Sequence, residues 1–389
     1  MHREREPVLK FSINKDALNE AIQHVSKAIS SRTTIPILNG IKMDAGDQGL
    51  TLTASDTEIS IQAFVSAARD GEAVLRLERP GSVVVPAKFF VDIVRKLPED
   101  EVFVDVSELH RIAIRSGSID IQLAGLDPEE FPQLPELSED RKFTILSDVL
   151  RDMIRLVSFA VSTNEAAPIL TGVNWTLEGG RLKFAATDRH RLACVERAID
   201  CPEKLRFQNV VVPGKNLNEL YKILPEQNTL IDVVISGNQA LFRAQNVLFY
   251  SRLLEGTYPE ISKIIPNAYK TETVFDTRSL EAAIDRAYLL SREEKTNIVR
   301  LSFMDDERTV EVSSSSGEIG RVTEKLAVES FGGEPLKISF NSKYMLDVLR
   351  VVDDARIFIG FTGTMSPMVL KPAGDEGALY LILPYRTMN

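Results

Sequence analysis

In "FSINKDALNEAIQHVSKAI", which begins at Phe11, apolar residues fall at positions 17, 18, 21, 22, 25, 28 and 29, just after an alternating Phe11/Ile13 pair. This spacing predicts a short strand running into an amphipathic helix with one buried face. The same pattern returns 132 positions later in "FTILSDVLRDMIRLVSFAV", at 149, 150, 153, 154, 157, 160 and 161. "SLEAAIDRAYLLS" repeats it at Leu280, Ala283, Ile284, Ala287 and Leu290. A second strand-to-helix element recurs as "VVVPAKFFVDIVRKLP" (83–98), "VVVPGKNLNELYKILP" (210–225) and "ISFNSKYMLDVLRVVD" (338–353).

Internal repetition at this scale sets the domain count. The pattern predicts three domains, 1–138, 139–266 and 267–389, joined near the aromatic-proline steps Phe131-Pro132 and Tyr258-Pro259. The alternating runs between the helices, broken by turn residues, read as antiparallel strands, roughly eight to a copy. A helix with one apolar face must pack on a sheet, so each copy is expected to be α+β with its two helices on one side.

Composition changes this picture in a few places. A formal net charge of −10 argues against a nucleic-acid binder if taken alone, but net charge does not say where charges sit. By segment, the first and third copies are acidic and the central one is near neutral. Two cysteines, Cys194 and Cys201, make no disulfide framework and fit no zinc spacing. No apolar run has the length of a membrane span, and "MHREREPVLKF" has no apolar stretch of a secretory signal, so a cytoplasmic protein with no membrane partner is expected. "VVVPGK" is no phosphate-binding loop, having one Gly and no following Ser or Thr.

One stretch invites a chemical reading. "ATDRHRLACVE" (185–195) gathers Asp188, His190 and two arginines. An Asp/His pair could serve a hydrolase, and Asp188 could equally staple a hairpin turn. The repeat favours the turn: Asp56 stands at the matching place in "ASDTEISIQ", while His190 has no histidine counterpart and no nucleophile motif is nearby. Cations recur more tellingly. Lys88, Lys215 and Lys343 stand at equivalent helix starts, and Arg95, Lys222 and Arg350 follow seven residues on, on the same face. Arg151 and Arg155 share a face at i,i+4. With most acidic residues expected elsewhere and no aromatics interleaved, such faces suit duplex backbone contact, independent of base sequence and sensitive to salt.

Along "SSRTTIPILNGI", "FAVSTNEAAPILTGVNW", "ATDRHRLA", "VVVPGK", "NVLFYSRLLEGTYPE", "KYMLDVL" and "LILPYR", from Lys10 to Arg386, the chain resembles the bacterial sliding clamps, the beta subunit of DNA polymerase III. The resemblance implies three clamp-fold domains and a head-to-tail homodimer closing a ring around double-stranded DNA. It implies a non-enzymatic processivity factor with no cofactor of its own, whose partners are the polymerase III catalytic subunit, an ATP-driven clamp loader, and other polymerases and repair proteins. A three-domain peptide-recruiting scaffold that does not encircle DNA is the alternative. The family's pattern supports Arg32 and Lys215 as DNA contacts; the other repeated cations rest on the spacing alone. The family also docks short peptides in an apolar pocket. Carried over by position, its wall here is Leu170, Thr187, His190, Arg191, Leu192, Pro259, Ile264, Ser366, Leu381, Ile382, Leu383 and Pro384. Arg189 and Tyr385 depart from the small and aliphatic residues common there, and the first nine residues look like an addition.

Overall fold

The computed structural model describes residues 8–30, 33–293, 296–304, 308–317 and 319–386. Among these, six α-helices form: α1 (Lys15–Val25), α2 (Ala87–Lys96), α3 (Ser147–Val157), α4 (Gly214–Ile223), α5 (Thr277–Ser291) and α6 (Ser342–Val351). They fall two to a copy, at the places the periodicity predicts. Local chemistry starts three of them. The Asn14, Asp276 and Asn341 side chains accept from the backbone N–H of Ala17, Ser279 and Lys343, meeting donors that the first helical turn leaves open. The apolar stripes are the buried ones: Leu18, Ala21, Ile22 and Val25 on α1, and Leu280, Ala283, Ile284 and Ala287 on α5. Burying each Leu or Ile is worth about 1.5–3 kcal/mol.

The chain divides into two compact units, residues 1–148 with 219–253, and 149–218 with 254–389. The first unit holds a five-stranded sheet in the order Ile119–Ala124, Arg111–Ser116, Glu101–Val106, Leu9–Asn14, Leu75–Arg79. Its other large sheet has eight strands and is composite. Lys142–Leu146, Leu230–Ser236, Gln239–Ala244 and Val247–Arg252 come from the central copy. Ile59–Ser66, Gly49–Ser55, Gly40–Gly46 and Gly81–Pro86 come from the first. The seam runs antiparallel from Val247 opposite Ala63 to Ser251 opposite Ile59.

The second unit repeats the device. A nine-stranded sheet joins Phe207–Pro213, Gly172–Glu178, Arg181–Thr187 and Arg191–Ala198 of the central copy to Ala378–Ile382, Met368–Pro372, Arg356–Phe361, Thr271–Asp276 and Ser330–Gly333 of the third. Here the seam pairs Arg191 with Ile382 through Val195 with Ala378. A four-stranded sheet, Gly320–Ala327, Thr309–Ser316, Ile298–Phe303 and Leu336–Asn341, completes the unit. The central copy thus gives four strands to each composite sheet. No described helix is long and apolar enough to cross a membrane.

Candidate functional site

Asp188 is a turn staple. Its Oδ1 accepts from the backbone N–H groups of His190 (2.9 Å) and Arg191 (3.0 Å), and Oδ2 accepts from Arg191 Nε (3.0 Å). The Thr187 hydroxyl donates to the Arg191 carbonyl and accepts from the Arg189 N–H. These bonds hold Arg189 in the left-handed region at φ 75°. Three hydrogen bonds thus hold both oxygens of Asp188, and among the described residues no nucleophile is bonded to His190. The imidazole instead stacks near the Tyr344 ring, 6.3 Å between centroids. Among the described residues, no three His, Cys, Asp or Glu side chains gather as a metal site would.

Arg191 is more deeply embedded than its place on an expected pocket wall implies. Its side chain is 10% exposed and pairs with both Asp188 and Asp347. It also donates to the Phe159 carbonyl at 2.6 Å, and its guanidinium lies over the Phe159 and Tyr344 rings. A buried guanidinium needs this many acceptors to offset its desolvation. The chain beyond it is fixed in turn: the Leu383 N–H donates to the His190 carbonyl, and the Tyr385 N–H donates to Ser339.

Around this turn the wall residues sort by face. Leu192 and Leu381 belong to one apolar cluster with Ala185, Cys194 and Val369, while Leu170 packs with Val211 and Tyr258 in a second. Ile261 packs against both. Pro259 lies on the rim of a cavity of about 710 Å³ with Ala185, Tyr258 and Ile261. Leu170, His190 and Arg191 line a second cavity of about 530 Å³, together with Asn297, Asn341, Lys343 and Tyr344. Ile264 and Leu383 are exposed, at 49% and 41%. Thr187 is buried, and its N–H donates to the Tyr258 hydroxyl, whose pKa burial drives upward. Ser366 and Pro384 are half-buried, and Pro384 bridges to Phe340. Ile382 is fully buried and, one residue from Leu381 along the strand, points to the opposite side of the sheet, so it supports the wall from behind.

Sequence reasoning missed Ile261, Asp347, Phe159 and Tyr344. Only Ile261 left a signal, since it stands three residues before Ile264 in the short 3-10 helix Ile261–Ile264. The other three meet the site through tertiary packing alone.

The repeated cations also sort into two kinds. Lys88, Lys215 and Lys343 are exposed, and among the described residues none makes an ion pair. Their partners two turns on are engaged: Arg95 with Asp92 (2.7 Å), Lys222 with Glu219 (2.7 Å) and Arg350 with Asp285 (3.3 Å). Arg155 is held by Asp152 and Asp353 and donates to the Val351 carbonyl, so its pKa is raised by these acids against the opposing effect of burial. Arg151 is half-buried. The expectation that acidic residues lie away from these helices is thus corrected, because i,i+3 spacing brings a carboxylate within reach of the second cation on α2 and α4. Arg32 lies outside the described residues.

A chain that repeats one α+β domain three times, fuses neighbouring copies through continuous sheets, and spends its polar groups on turns and tethers is a clamp-type domain array. Models of the DNA polymerase III beta subunit match it in order: the N-terminal domain over 9–135, the central domain over 144–260 and the C-terminal domain over 262–386. It is 48% identical over 379 residues to the beta sliding clamp of Bacillus subtilis, covering 97% of this chain and all of the relative. With the Staphylococcus aureus clamp it shares 44% over 380 residues, 98% of this chain and all of the relative. A crystal structure of the Bacillus subtilis clamp superposes with a TM-score of 0.95 at 47% identity, covering 98% of this chain and all of that one. A Pseudomonas aeruginosa clamp bound to griselimycin gives 0.91 at 27% identity, covering 97% and 100%. The chain belongs to the DNA polymerase III beta-subunit family, the beta sliding clamps, which makes it a replication processivity factor that partners DNA and polymerase.

Proposed function

We propose that two copies of this chain join head to tail into a ring around duplex DNA, and that the ring tethers the polymerase III catalytic subunit through the groove at Leu170, Leu192 and Leu381. The supporting observation is a mismatch between repeats. Val247–Arg252 and Ala378–Ile382 are equivalent strands, and each is paired across a seam, to Ile59–Ser66 and Arg191–Ala198. Their first-copy equivalent, Ile119–Ala124, ends its sheet, and so does Gly320–Ala327, the third-copy equivalent of the other seam strands. Two edges built like seam strands invite each other's pairing. Joined between two chains, they close a twofold assembly with none left over.

The domains retain the boundaries 1–138, 139–266 and 267–389 in this reading. Lys88, Lys215 and Lys343 are the foremost phosphate contacts. Arg32, Arg95, Arg151, Arg155, Lys222 and Arg350 add to the basic faces, and the ion-paired ones exchange partners or stay with their carboxylates. Linkage by topology rather than tight binding allows sliding, and the clamp loader must open one seam to admit DNA. Such a protein works in the cytoplasm, needs no cofactor and carries no catalytic residue.

Protein loaded on nicked circular DNA is expected to stay bound and to leave once the circle is cut. Sedimentation should give twice the chain mass. Retention on linear DNA equal to that on circles, or a monomeric mass at working concentration, would favour the peptide-recruiting scaffold instead.

A further inference from the structure

The cavity of about 530 Å³ behind His190 is lined by three cations, Arg189, Arg191 and Lys343, and by a single carboxylate, Asp188. That carboxylate is not available to a ligand. It is 14% exposed, and both oxygens are held by the turn and by Arg191. Asp347 is paired with Arg191 as well. Arg189 and Lys343 are different: both are exposed, and among the described residues neither has an ion-pair partner. Arg189 projects from a backbone at φ 75°, where a side chain costs about 1–2 kcal/mol that a glycine avoids. A long cation is thus carried at a strained position on the rim of a cavity, beside the apolar groove.

We propose that Arg189 and Lys343 read an acidic side chain of the docked peptide, adjacent to the apolar residues that anchor it. This rests on the docking role proposed above, assigns Lys343 to the peptide rather than to the duplex phosphates, and adds the chemistry by which this chain would rank its partners. The occupant follows from charge complementarity: two exposed cations, without an ion-pair partner among the described residues, line a cavity that Leu170 also lines, and the nearby carboxylates of Asp188 and Asp347 are already bonded to Arg191. Arg is suited to a bidentate hold on a carboxylate, with Lys343 as the second, point-like charge.

The test uses the full-length protein and labelled fifteen-residue peptides tiled across the cognate polymerase III catalytic subunit, read by fluorescence polarisation. The tightest peptide is then remade with each Asp and Glu changed to its amide. One such change is expected to weaken binding about five-fold, the scale of a solvent-facing ion pair, and more at low salt. Arg189→Gly should weaken the acidic peptide by a similar factor and leave the amide peptide unchanged. Lys343→Gln should do the same to a smaller degree. Equal affinity for both peptides on the native protein overturns this inference while leaving the docking role intact, as does a tightest binder with no acidic residue. Failure of every tiled peptide to bind overturns both. If Lys343→Gln weakens retention on circular DNA and leaves peptide affinity unaltered, Lys343 serves the duplex and the two-cation reading fails.

Discussion

At Asp56 and again at Asp188 the chain makes the same turn, and the two seams that grow from these turns share one skeleton. Asp56 accepts from the N–H of Glu58 and Ile59 as Asp188 does from His190 and Arg191. The Ser55 hydroxyl donates to the Ile59 carbonyl, as that of Thr187 does to Arg191. Thr57 sits at φ 78° and Arg189 at 75°. Even the strand-end bond recurs, Arg252 N–H to Glu58 carbonyl in the first seam and Leu383 N–H to His190 carbonyl in the second. What differs is what hangs on the skeleton. At the first seam a cavity of about 590 Å³ is lined by Lys42, Asp44, Thr53, Gln62 and Arg243 on one side, while the linker's Leu134 and Leu137 pack on Leu241 and Tyr250 on the other. At the second, Thr53 and Gln62 are replaced by Ala185 and Cys194, which join the cluster of Leu192, Val369 and Leu381. The backbone plan holds copies together, and a few side chains decide whether the centre of the seam, at Thr53 and Gln62 or at Ala185 and Cys194, is polar or apolar.

The largest difference is at Arg191, whose counterpart is the buried Ile59. Arg191→Ala leaves Asp188 and Asp347 facing each other without a cation. Removing one partner of a buried ion pair costs about 3–5 kcal/mol. Urea melts should show that loss, and peptide docking should fall with it. A loss under about 1 kcal/mol would mean that the strand ladder and the turn bonds hold the second seam without the cation, as they do the first.

The next is the linker aromatic. Phe131 and Tyr258 are both buried, at 4% and 5%, but only Tyr258 has a hydroxyl to accept from the Thr187 N–H at 3.0 Å. Tyr258→Phe makes the second linker like the first and leaves a buried donor unmet, a cost of about 1–3 kcal/mol. Hydrogen exchange at Thr187 should quicken in the variant. Unchanged protection there would show that water or a shifted carbonyl replaces the hydroxyl.

The tail sharpens the comparison further. At the second seam Leu383 and Tyr385 are exposed, although their N–H groups are bonded to the His190 and Ser339 carbonyls. Removing residues 383–389 is expected to abolish peptide binding, measured by polarisation, while sedimentation still gives the dimer. Loss of the dimer would place the tail at the chain-to-chain seam instead.

Much of this is readable in the amino-acid sequence. The helix stripes were visible because burial imposes a 3.6-residue period on any helix packed on a sheet, and the three copies because each must rebuild that stripe. Asp188 was readable as a turn residue from Asp56 in the matching place. The sharing of the central copy's strands with both neighbours was not visible, since local alternation tells which face of a strand is buried and not which strand lies beside it. The ion pairs that occupy Arg95, Lys222 and Arg350 were half visible: the i−3 acids on α2 and α4 are in the sequence, but Asp285 meets Arg350 from another helix. Asp347 and Phe159 reach Arg191 only through packing, so no spacing announces them.

The smallest expected effect concerns Cys194, which stands where the first seam has Gln62. Gln62 donates from Nε2 to the Thr53 hydroxyl at 3.3 Å, a bond that suits a wet groove. Cys194 is 5% exposed, and burial pushes its thiol up from an ordinary 9.0 to about 12, against a weak opposing pull from Lys183. In the unfolded chain this thiol ionises near 9, whereas in the folded chain it stays protonated. Its contribution to stability is therefore complete below about pH 9 and is lost as pH rises from there toward 12. Cys194→Ala should cost little at pH 8 and should flatten the decline in stability between pH 8 and 10, followed by urea melts. In the native protein at pH 8, a thiol reagent should label the more accessible Cys201 and spare Cys194, as mass spectrometry would show. Labelling of Cys194 at the rate of Cys201 would mean that the second groove opens to water as readily as the first, and the contrast between a polar seam and an apolar one would lose its physical basis.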